Sequence, residues 1–139
     1  MQHSQSPLTM LEHRFTHFEC TATDGDSLDG ALSLDTDTEI HCDTEDPLRW
    51  KVALRVSFQN SDDKNPSSYS GAIAIYGEFK IRESFEEANR EALIRVTATS
   101  MLYGACREML ANFTSRSTNG MLDLPSVSFR KSKEESDKK

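Results

Sequence analysis

A run of alternating residues between positions 50 and 58 constrains the fold more than any other feature of the sequence. The residues at every second position of this run are apolar: Trp50, Val52, Leu54, Val56 and Phe58. The residues between them are charged, hydroxylated or small. Because successive side chains of a strand point to opposite faces, a period of two predicts a half-buried strand of an antiparallel sheet. The chain must therefore supply partner strands and a cover for the apolar face.

Two further segments have the composition of strands. Residues 11–23 are rich in aromatic and β-branched residues, but their alternation slips between Phe15 and Phe18, which indicates a strand with a bulge. Residues 68–81 alternate again, and Gly77 interrupts their apolar face. Because this segment is long for a single strand, we expect a bend near Gly77 that could divide it into two strands.

The segment from residue 24 to residue 47 is acidic and carries scattered apolar residues. It contains nine acidic residues and no lysine or arginine, and its glycines and proline mark turns. Its apolar residues include Leu28, Leu32, Leu34 and Ile40. Since a fully solvated loop has little use for such residues, we interpret the segment as a long crossing connection. It would lie over the rest of the protein and touch it at these apolar points.

A helix is predicted over residues 85–114. Ser84 and Glu87 fit a capping box, in which each side chain bonds the backbone amide of the other residue. Apolar residues then recur in two neighbouring rows, which form a sector too wide for one sheet to cover. Gly104 in the helix interior indicates close approach by another element. The second row consists of Leu102, Cys106, Leu110 and Phe113. The first row is expected at an oligomer interface: Ile94, Ala98, Met101, Ala105 and Met109.

From its residues alone, the chain is predicted to be one α+β domain that associates with itself and offers an apolar surface to a partner. Residues 1–10 are polar and are expected to be flexible, and residues 11–130 are expected to form the domain. Within it, residues 121–129 form a short apolar extended stretch. Residues 131–139 carry dense mixed charge and are expected to be a disordered tail.

The composition argues against several classes of function. The net charge of −7 opposes binding to a nucleic-acid backbone, which requires surplus lysine and arginine. No apolar run is long enough to span a bilayer, and the N-terminus does not have the pattern of a secretory signal. We therefore expect a cytoplasmic protein with no nucleic-acid partner and no membrane insertion.

The residues that usually carry chemistry show no catalytic or metal-binding pattern. The three cysteines are widely spaced, and the four histidines do not pair with acids or cysteines at ligand spacing. Phosphate-binding glycine motifs are absent from the sequence. Cys106 beside Arg107 could be an activated thiol, but it lies on the apolar sector of the predicted helix. We predict no catalytic residue, no metal and no cofactor, and therefore a protein that is not an enzyme.

The last third of the chain resembles the SecB chaperone family. The helix of that family carries a Leu-aromatic-Pro-Tyr-x-Arg-Glu core, in which Gly104 here replaces the proline and Ala105 an aromatic residue. Residues 113–120 resemble the family's Ser/Thr-Arg-Gly turn, and residues 121–129 are similar to its Leu-x-Leu-x-Pro-hydrophobic-x-Phe ending. The order of elements from residue 12 onward also agrees with the family. The positions that match the helix core are Leu102, Tyr103, Arg107 and Glu108.

The resemblance implies an ATP-independent holding chaperone. Members have an antiparallel sheet of four strands, and their helices pack between the dimers of a homotetramer that is a dimer of dimers. They bind non-native polypeptides along apolar grooves, so the implied partner is a client such as an antitoxin or an export precursor. The residues expected to line the client groove are Leu28, Leu32, Leu34, Ile40, Leu122, Leu124 and Phe129.

Two departures from the family bear on the choice of client. Export members have a second helix after the final phenylalanine, whereas a charged tail follows Phe129 here. Export members also present acids on the outer sheet to the translocase motor SecA, whereas residues 71–74 are small and apolar, which argues against SecA docking. Some SecB-like proteins instead serve one antitoxin of a toxin–antitoxin–chaperone system.

Two functions of other classes stay open on the sequence. A dimeric acidic adaptor, similar to a secretion chaperone for one effector, would share the size, the charge and the lack of motifs. An enzyme that uses Cys106 is the third hypothesis. Solution mass separates the first two, because the SecB-like hypothesis predicts a tetramer and the adaptor hypothesis a dimer.

Overall fold

The computed structural model describes residues 5–24, 32–61 and 67–130 of the 139-residue chain. Strands come first: β1 (Leu8–Ala22), β2 (Leu32–Cys42), β3 (Arg49–Asn60) and β4 (Tyr69–Ile81). A continuous helical region follows: a 3-10 turn (Glu87–Asn89), α1 (Arg90–Leu93), a π turn (Ile94–Ala98) and α2 (Thr99–Thr114). We call this region the long helix. The predicted α+β class, an antiparallel sheet followed by one long C-terminal helix, is confirmed.

The four strands form one sheet in the order β1-β4-β3-β2, and all neighbours are antiparallel. The register between β1 and β4 shifts twice, and the second shift lies between Phe15 and His17, where the alternation in the sequence slips. The bulged strand predicted there is confirmed. β1 begins at Leu8, inside the segment that the sequence predicts to be flexible, because the Leu8 side chain is buried and its backbone pairs with Ile81.

The crossing connection predicted over residues 24–47 is wrong for its second half, which is the regular edge strand β2. The strand was hidden because Thr36 and Thr38 occupy the face that Leu34 and Ile40 share. Threonine counts as polar in a hydropathy pattern, but its β-branched side chain favours a strand. The inner-face residues of β2 therefore all suit a strand, although two of them are polar and break the hydropathy pattern.

β4 is a single strand, so the division predicted near Gly77 is wrong. A methyl group at Gly77 would lie 2.8 Å from the ring of Phe79 and 2.9 Å from Cδ2 of Leu102. The glycine therefore lets Leu102 of the helix pack directly on the strand. The close approach predicted for Gly104 is also not found among the described residues, because a methyl group there would meet none of their atoms within 4 Å.

The long helix begins without the predicted capping box. Neither Glu86, which precedes the 3-10 turn, nor Asn89, which precedes α1, caps the helix through its side chain. Asn89 Nδ2 instead donates to Glu86 Oε2 at 2.8 Å, and the guanidinium of Arg90 donates to the carbonyls of Phe85 and Glu83. The start of the helix is therefore stabilised by the side chain of Arg90, which binds the carbonyls of the turn before it, and not by the side chain of Ser84.

The π turn changes which residues face the sheet. It contains one more residue than an α-helical turn, so residues before it are rotated relative to those after it. Ile94 and Ala98 were predicted in the row of Met101, but both are fully buried. The buried row instead advances in steps of four: Ile94, Ala98, Leu102, Cys106, Leu110 and Thr114. Met101 and Met109 remain on the outside of the helix, and Ala105 between them is half-buried.

The core lies between the long helix and one face of the sheet, which we call the inner face. The helix packs on the two central strands, β3 and β4. The inner face of β3 is the run of alternating residues that begins with Trp50, and its members from Val52 to Phe58 are buried. Within the described residues, no helix is long and apolar enough to cross a membrane.

Residues 121–129 have no regular secondary structure, and we call them the strap. Side chains hold the strap along the helix. Thr114 Oγ1 accepts from the amide of Leu122 at 2.8 Å, Arg107 contacts Asp123 at 3.0 Å, and the hydroxyl of Tyr103 donates to the carbonyl of Pro125. Leu122 and Leu124 are thereby buried against the helix and sheet.

Candidate functional site

The long helix leaves the inner face of β2 less covered than the inner faces of β3 and β4. No residue of β2 is buried, whereas β3 and β4 have wholly buried residues on this face. Leu34 lies opposite Phe58 and Ile40 lies opposite Val52, so both side chains extend the apolar inner face to the edge of the sheet. Leu32 lies two residues before Leu34 and therefore on the same face.

The structure thus brings together three residues predicted for the client groove: Leu32, Leu34 and Ile40. They are half-buried and pack on the border of the core. A half-buried aliphatic side chain has apolar area left to cover, and such area is a source of binding free energy. Leu28 lies outside the described residues.

The strap divides the remaining groove residues. Leu124 is fully buried and Leu122 nearly so, which leaves them no surface to offer to another molecule. Phe129 is half-buried, and its ring lies edge-on to Tyr103 with the ring centroids 5.7 Å apart. Leu122 and Leu124 therefore belong to the core, so their predicted place in the client groove is wrong. Phe129 stays a predicted groove residue.

The strap lies on the flank of the helix away from β1. Phe113 marks the β1 side, because its ring contacts Phe18 of β1 at a centroid distance of 5.1 Å. Arg107, which contacts the strap, is about 120° around the helix from Phe113 at roughly 100° per residue. At Asp123 the strap is therefore on the other flank of the helix from the contact with Phe18.

The outer face of β2 is acidic. Asp35, Asp37 and Glu39 are exposed and alternate with the inner-face residues. On the neighbouring strand β3, Ser57 lies opposite Asp35, Arg55 opposite Asp37 and Ala53 opposite Glu39. None of the three carboxylates forms an ion pair with a described residue. The part of the acidic segment from Asp35 to Glu39 is therefore a row of charge along one edge of the sheet.

A shallow groove of about 400 Å³ crosses the outer face from β1 to β2. Ala53 and Ala74 line its floor, and Asp37 and Glu39 stand at its β2 end. At its β1 end, the guanidinium of Arg14 lies 5.0 Å from the centroid of the Tyr76 ring. The Tyr76 hydroxyl donates to Glu78 Oε1 at 2.8 Å, and burial and this carboxylate raise the pKa of Tyr76. The centre of the outer face thus has small side chains and mixed charge.

The outside of the long helix carries a second apolar surface. Met101 and Met109 are each 38% exposed, and Ala105 lies between them in the same row. Phe113, which the sequence pattern did not assign to this surface, is 48% exposed at the end of the helix. Met121 of the strap is also exposed. Phe113 was assigned to the sheet-facing row, but it belongs to the last turn of α2, where the helix passes β1 at Phe18.

Cys106 does not have the environment of an activated thiol. It is fully buried, and burial raises its pKa to about 12. Burial also raises the pKa of Cys20 and Cys42. A thiol must ionise to act as a nucleophile, so Cys106 stays protonated and unreactive at neutral pH. Among the described residues, no three histidine, cysteine or acidic side chains come together as a metal site.

No protein-family model and no curated protein matches the chain. Several solved structures do match the chain. One is the SecB-like chaperone Rv1957 of Mycobacterium tuberculosis in complex with a ChAD peptide from the Rv1956 HigA1 antitoxin, with a TM-score of 0.67, 14% identity and coverage of 88% of this chain and 91% of that chain. A protein of unknown function from Streptococcus agalactiae matches with a TM-score of 0.47 and 11% identity, over 86% of this chain and 97% of that chain. The SecB-like fold that the sequence resemblance predicts is confirmed by the first of these.

Proposed function

We propose that this protein is a holding chaperone that binds extended segments of non-native polypeptide along the inner face of β2. The observation that carries the proposal is the half-exposed apolar edge of the sheet, in a fold shared with a SecB-like chaperone in complex with a peptide. The groove consists of Leu32, Leu34 and Ile40 on β2, with Phe129 of the strap.

Binding in this mode requires no nucleotide. Each methylene group that the client buries contributes about 0.8 kcal/mol, so a few apolar side chains suffice for a reversible complex. The sequence contains no phosphate-binding loop that would couple binding to ATP. We therefore assign an ATP-independent activity, in which release follows from the equilibrium between bound and free client.

The acidic row on the outer face of β2 adds long-range attraction for basic clients. Charge of this kind speeds the encounter between partners more than it tightens the final complex. The expected client is thus a polypeptide with apolar segments and positive charge. A dedicated antitoxin or an export precursor would fit that description.

Two features favour a dedicated client over export. The centre of the outer face has alanine side chains on β3 and β4 rather than a continuous acidic surface, so we expect no docking to SecA. The neighbouring fold is that of a chaperone bound to an antitoxin peptide. We place the protein in the cytoplasm, where such a client would be synthesised.

We further propose a homotetramer, a dimer of dimers, in which the outside of the long helix forms the contact between dimers. Met101, Met109 and Phe113 are apolar side chains that the described residues leave exposed, and the half-buried Ala105 lies between the two methionines. Exposed apolar surface of this kind marks an association site. A dimer in solution would instead favour an adaptor that serves one effector.

The proposal is tested by titrating the protein into fluorescently labelled lysozyme that has been reduced and carboxymethylated, which leaves it permanently unfolded. The expected result is saturable binding without ATP and no binding of folded lysozyme. Absence of binding to the unfolded form would overturn the proposed function.

The groove is located by replacing Leu32, Leu34 and Ile40 with serine. We expect about ten- to a hundredfold weaker binding, which corresponds to roughly 1.4–2.8 kcal/mol. Leu11→Ser is the matched control, because Leu11 is 42% exposed on β1, at the opposite edge of the sheet. Circular dichroism confirms that each variant is folded. Equal losses in the groove variant and in the control would remove the groove from β2.

A further inference from the structure

A groove of about 420 Å³ lies at the end of the sheet where β1 begins and β4 ends. Two cationic side chains, Lys80 and Arg82, line this groove, and Glu83 is the one acid among the described residues that line it. Neither cation forms an ion pair with a described residue. In a chain with a net charge of −7, the groove is therefore a local site of positive charge, and we call it the cationic groove.

Lys80 occupies an unfavourable electrostatic position in the sheet. Arg49 of β3 lies directly opposite Lys80, and like charges in that arrangement destabilise a strand pair. Glu78, the one acid of β4, is already shared by two cations, because it lies 3.7 Å from Arg49 and directly opposite Lys51. On the β1 side, Lys80 lies opposite the uncharged Thr9. The described residues therefore leave the charge of Lys80 uncompensated, and a bound anion would compensate it.

Arg82, the second cation of the groove, is held in place by the start of β1. Its backbone amide donates to the carbonyl of Pro7 at 2.8 Å, and its Nη2 donates to the carbonyls of Gln5 and Ser6 at 3.4 Å. These bonds leave other N–H groups of the guanidinium available, and a guanidinium can bind a carboxylate through two parallel hydrogen bonds. Because the side chain is anchored before an anion binds, less conformational entropy is lost on binding.

We propose that the cationic groove binds an acidic segment of a partner protein, whose carboxylates pair with Lys80 and Arg82. The volume of the groove exceeds what a single phosphate or carboxylate ion needs and lies in the range of pockets for larger ligands, which favours a chain segment. The half-buried Leu48 also lines the groove, and charge pairs beside apolar surface are screened less by salt. This inference does not rest on the client groove, since β2 is at the opposite edge of the sheet from β1.

Two fluorescently labelled octapeptides test the charge preference. In one, glutamate alternates with serine, and in the other, glutamine replaces every glutamate. Neither peptide carries an apolar side chain for the client groove, and the net charge of the protein repels the glutamate peptide everywhere except at a local positive site. We expect saturable binding of the glutamate peptide, about tenfold tighter or more than that of the glutamine peptide. Equal affinities of the two peptides would overturn the proposal.

A pair of double variants with the same net charge locates the site. Changing Lys80 and Arg82 together to Gln should weaken binding of the glutamate peptide by about tenfold or more, because both charge-assisted contacts are lost. The matched control is Arg14→Gln with Arg55→Gln, which removes two exposed cations of the outer face that do not line the groove. The control should leave the affinity nearly unchanged. Equal losses in the two variants would show that binding follows total charge, which contradicts the proposal.

Lys80→Glu is a second test, because Arg82 also bonds the start of β1 and its loss could loosen the fold. This variant should abolish binding of the glutamate peptide. It should also raise the melting temperature, since the repulsion between residue 80 and Arg49 becomes an attraction. Binding that survives in a folded Lys80→Glu protein would overturn the proposal. If Lys80→Glu instead splits the oligomer in sedimentation velocity, the acidic segment belongs to a second copy of the chain, which also contradicts the proposal.

Discussion

Alanine at Gly77 and alanine at Gly104 should have opposite effects on stability, because one glycine lies under the helix and the other is open to solvent. At Gly77 the new methyl group would be 2.8 Å from the ring of Phe79 and 2.9 Å from Leu102. Carbon atoms in contact prefer about 3.5–4.0 Å. Phe79 and Leu102 are both fully buried, so neither can rotate out of the way.

The expected magnitudes follow from these surroundings. Overpacking a well-filled core costs about 1–3 kcal/mol, which is the expected loss for Gly77→Ala. No atom lies within 4 Å of a methyl group at Gly104, so Gly104→Ala should gain the helix preference of alanine alone. That preference is about 0.8–1.0 kcal/mol. At roughly 4 °C per kcal/mol, melting temperature should fall by about 4–12 °C for Gly77→Ala and rise by about 3–4 °C for Gly104→Ala.

Urea denaturation followed by circular dichroism, at one fixed protein concentration, measures both variants. A Gly77→Ala protein as stable as the parent would show that Leu102 does not pack on β4, and the placement of the helix on the sheet would be wrong. A destabilised Gly104→Ala protein would show that another chain packs at that position in the assembly.

The other predictions concern assembly, the tail and the thiols. Changing Met101 and Ala105 together to Glu should split the tetramer into dimers by burying unpaired charge, and an unchanged mass in light scattering would misplace the interface. Truncation after Arg130 should change the melting temperature by no more than about two degrees, since so charged a segment buries little apolar surface, and a large drop would reveal a structural role for the tail. Ellman's reagent should label the exposed Cys42 quickly and Cys106 only after denaturation. Because burial raises the pKa of Cys106 from 9.0 to about 12, the free energy of unfolding should fall as pH rises from 9 towards 12, and a Cys106→Ala variant should lack that part of the pH dependence.

The strands could be predicted wherever apolar alternation was unbroken. Apolar alternation from Trp50 onward predicts β3, and the slip in alternation after Phe15 predicts the bulged strand β1. β2 was not predicted because two of its inner-face residues, Thr36 and Thr38, are β-branched, as a strand favours, but are not apolar. A pattern that scored β-branching together with hydropathy would have found it, and would have placed Asp35 to Glu39 on one outer row.

The position of the helix along the chain was predicted, but the set of residues that face the sheet was not. The π turn inserts a residue between Ile94 and Ala98, and no residue type in that stretch marks such a turn in the sequence. Thr99 Oγ1 reaches the carbonyl of Ile94 at 3.5 Å there, which shows how the widened turn uses a buried hydroxyl. Burial of the strap residues Leu122 and Leu124 was missed for a different reason. The strap is held by Arg107, which pairs with Asp123, and by Thr114, which accepts from the amide of Leu122. The role of both side chains depends on the final fold.

Hydrogen exchange of the full-length protein, with and without unfolded lysozyme, tests whether a client occupies the inner face of β2. We expect slower amide exchange in β2 and around Phe129 when the client is bound, and little change on the outside of the long helix at Met101 and Met109. The half-exposed residues of β2 make this difference measurable, because the strand has no buried side chain when free. Protection confined to the long helix, with β2 unchanged, would contradict the account.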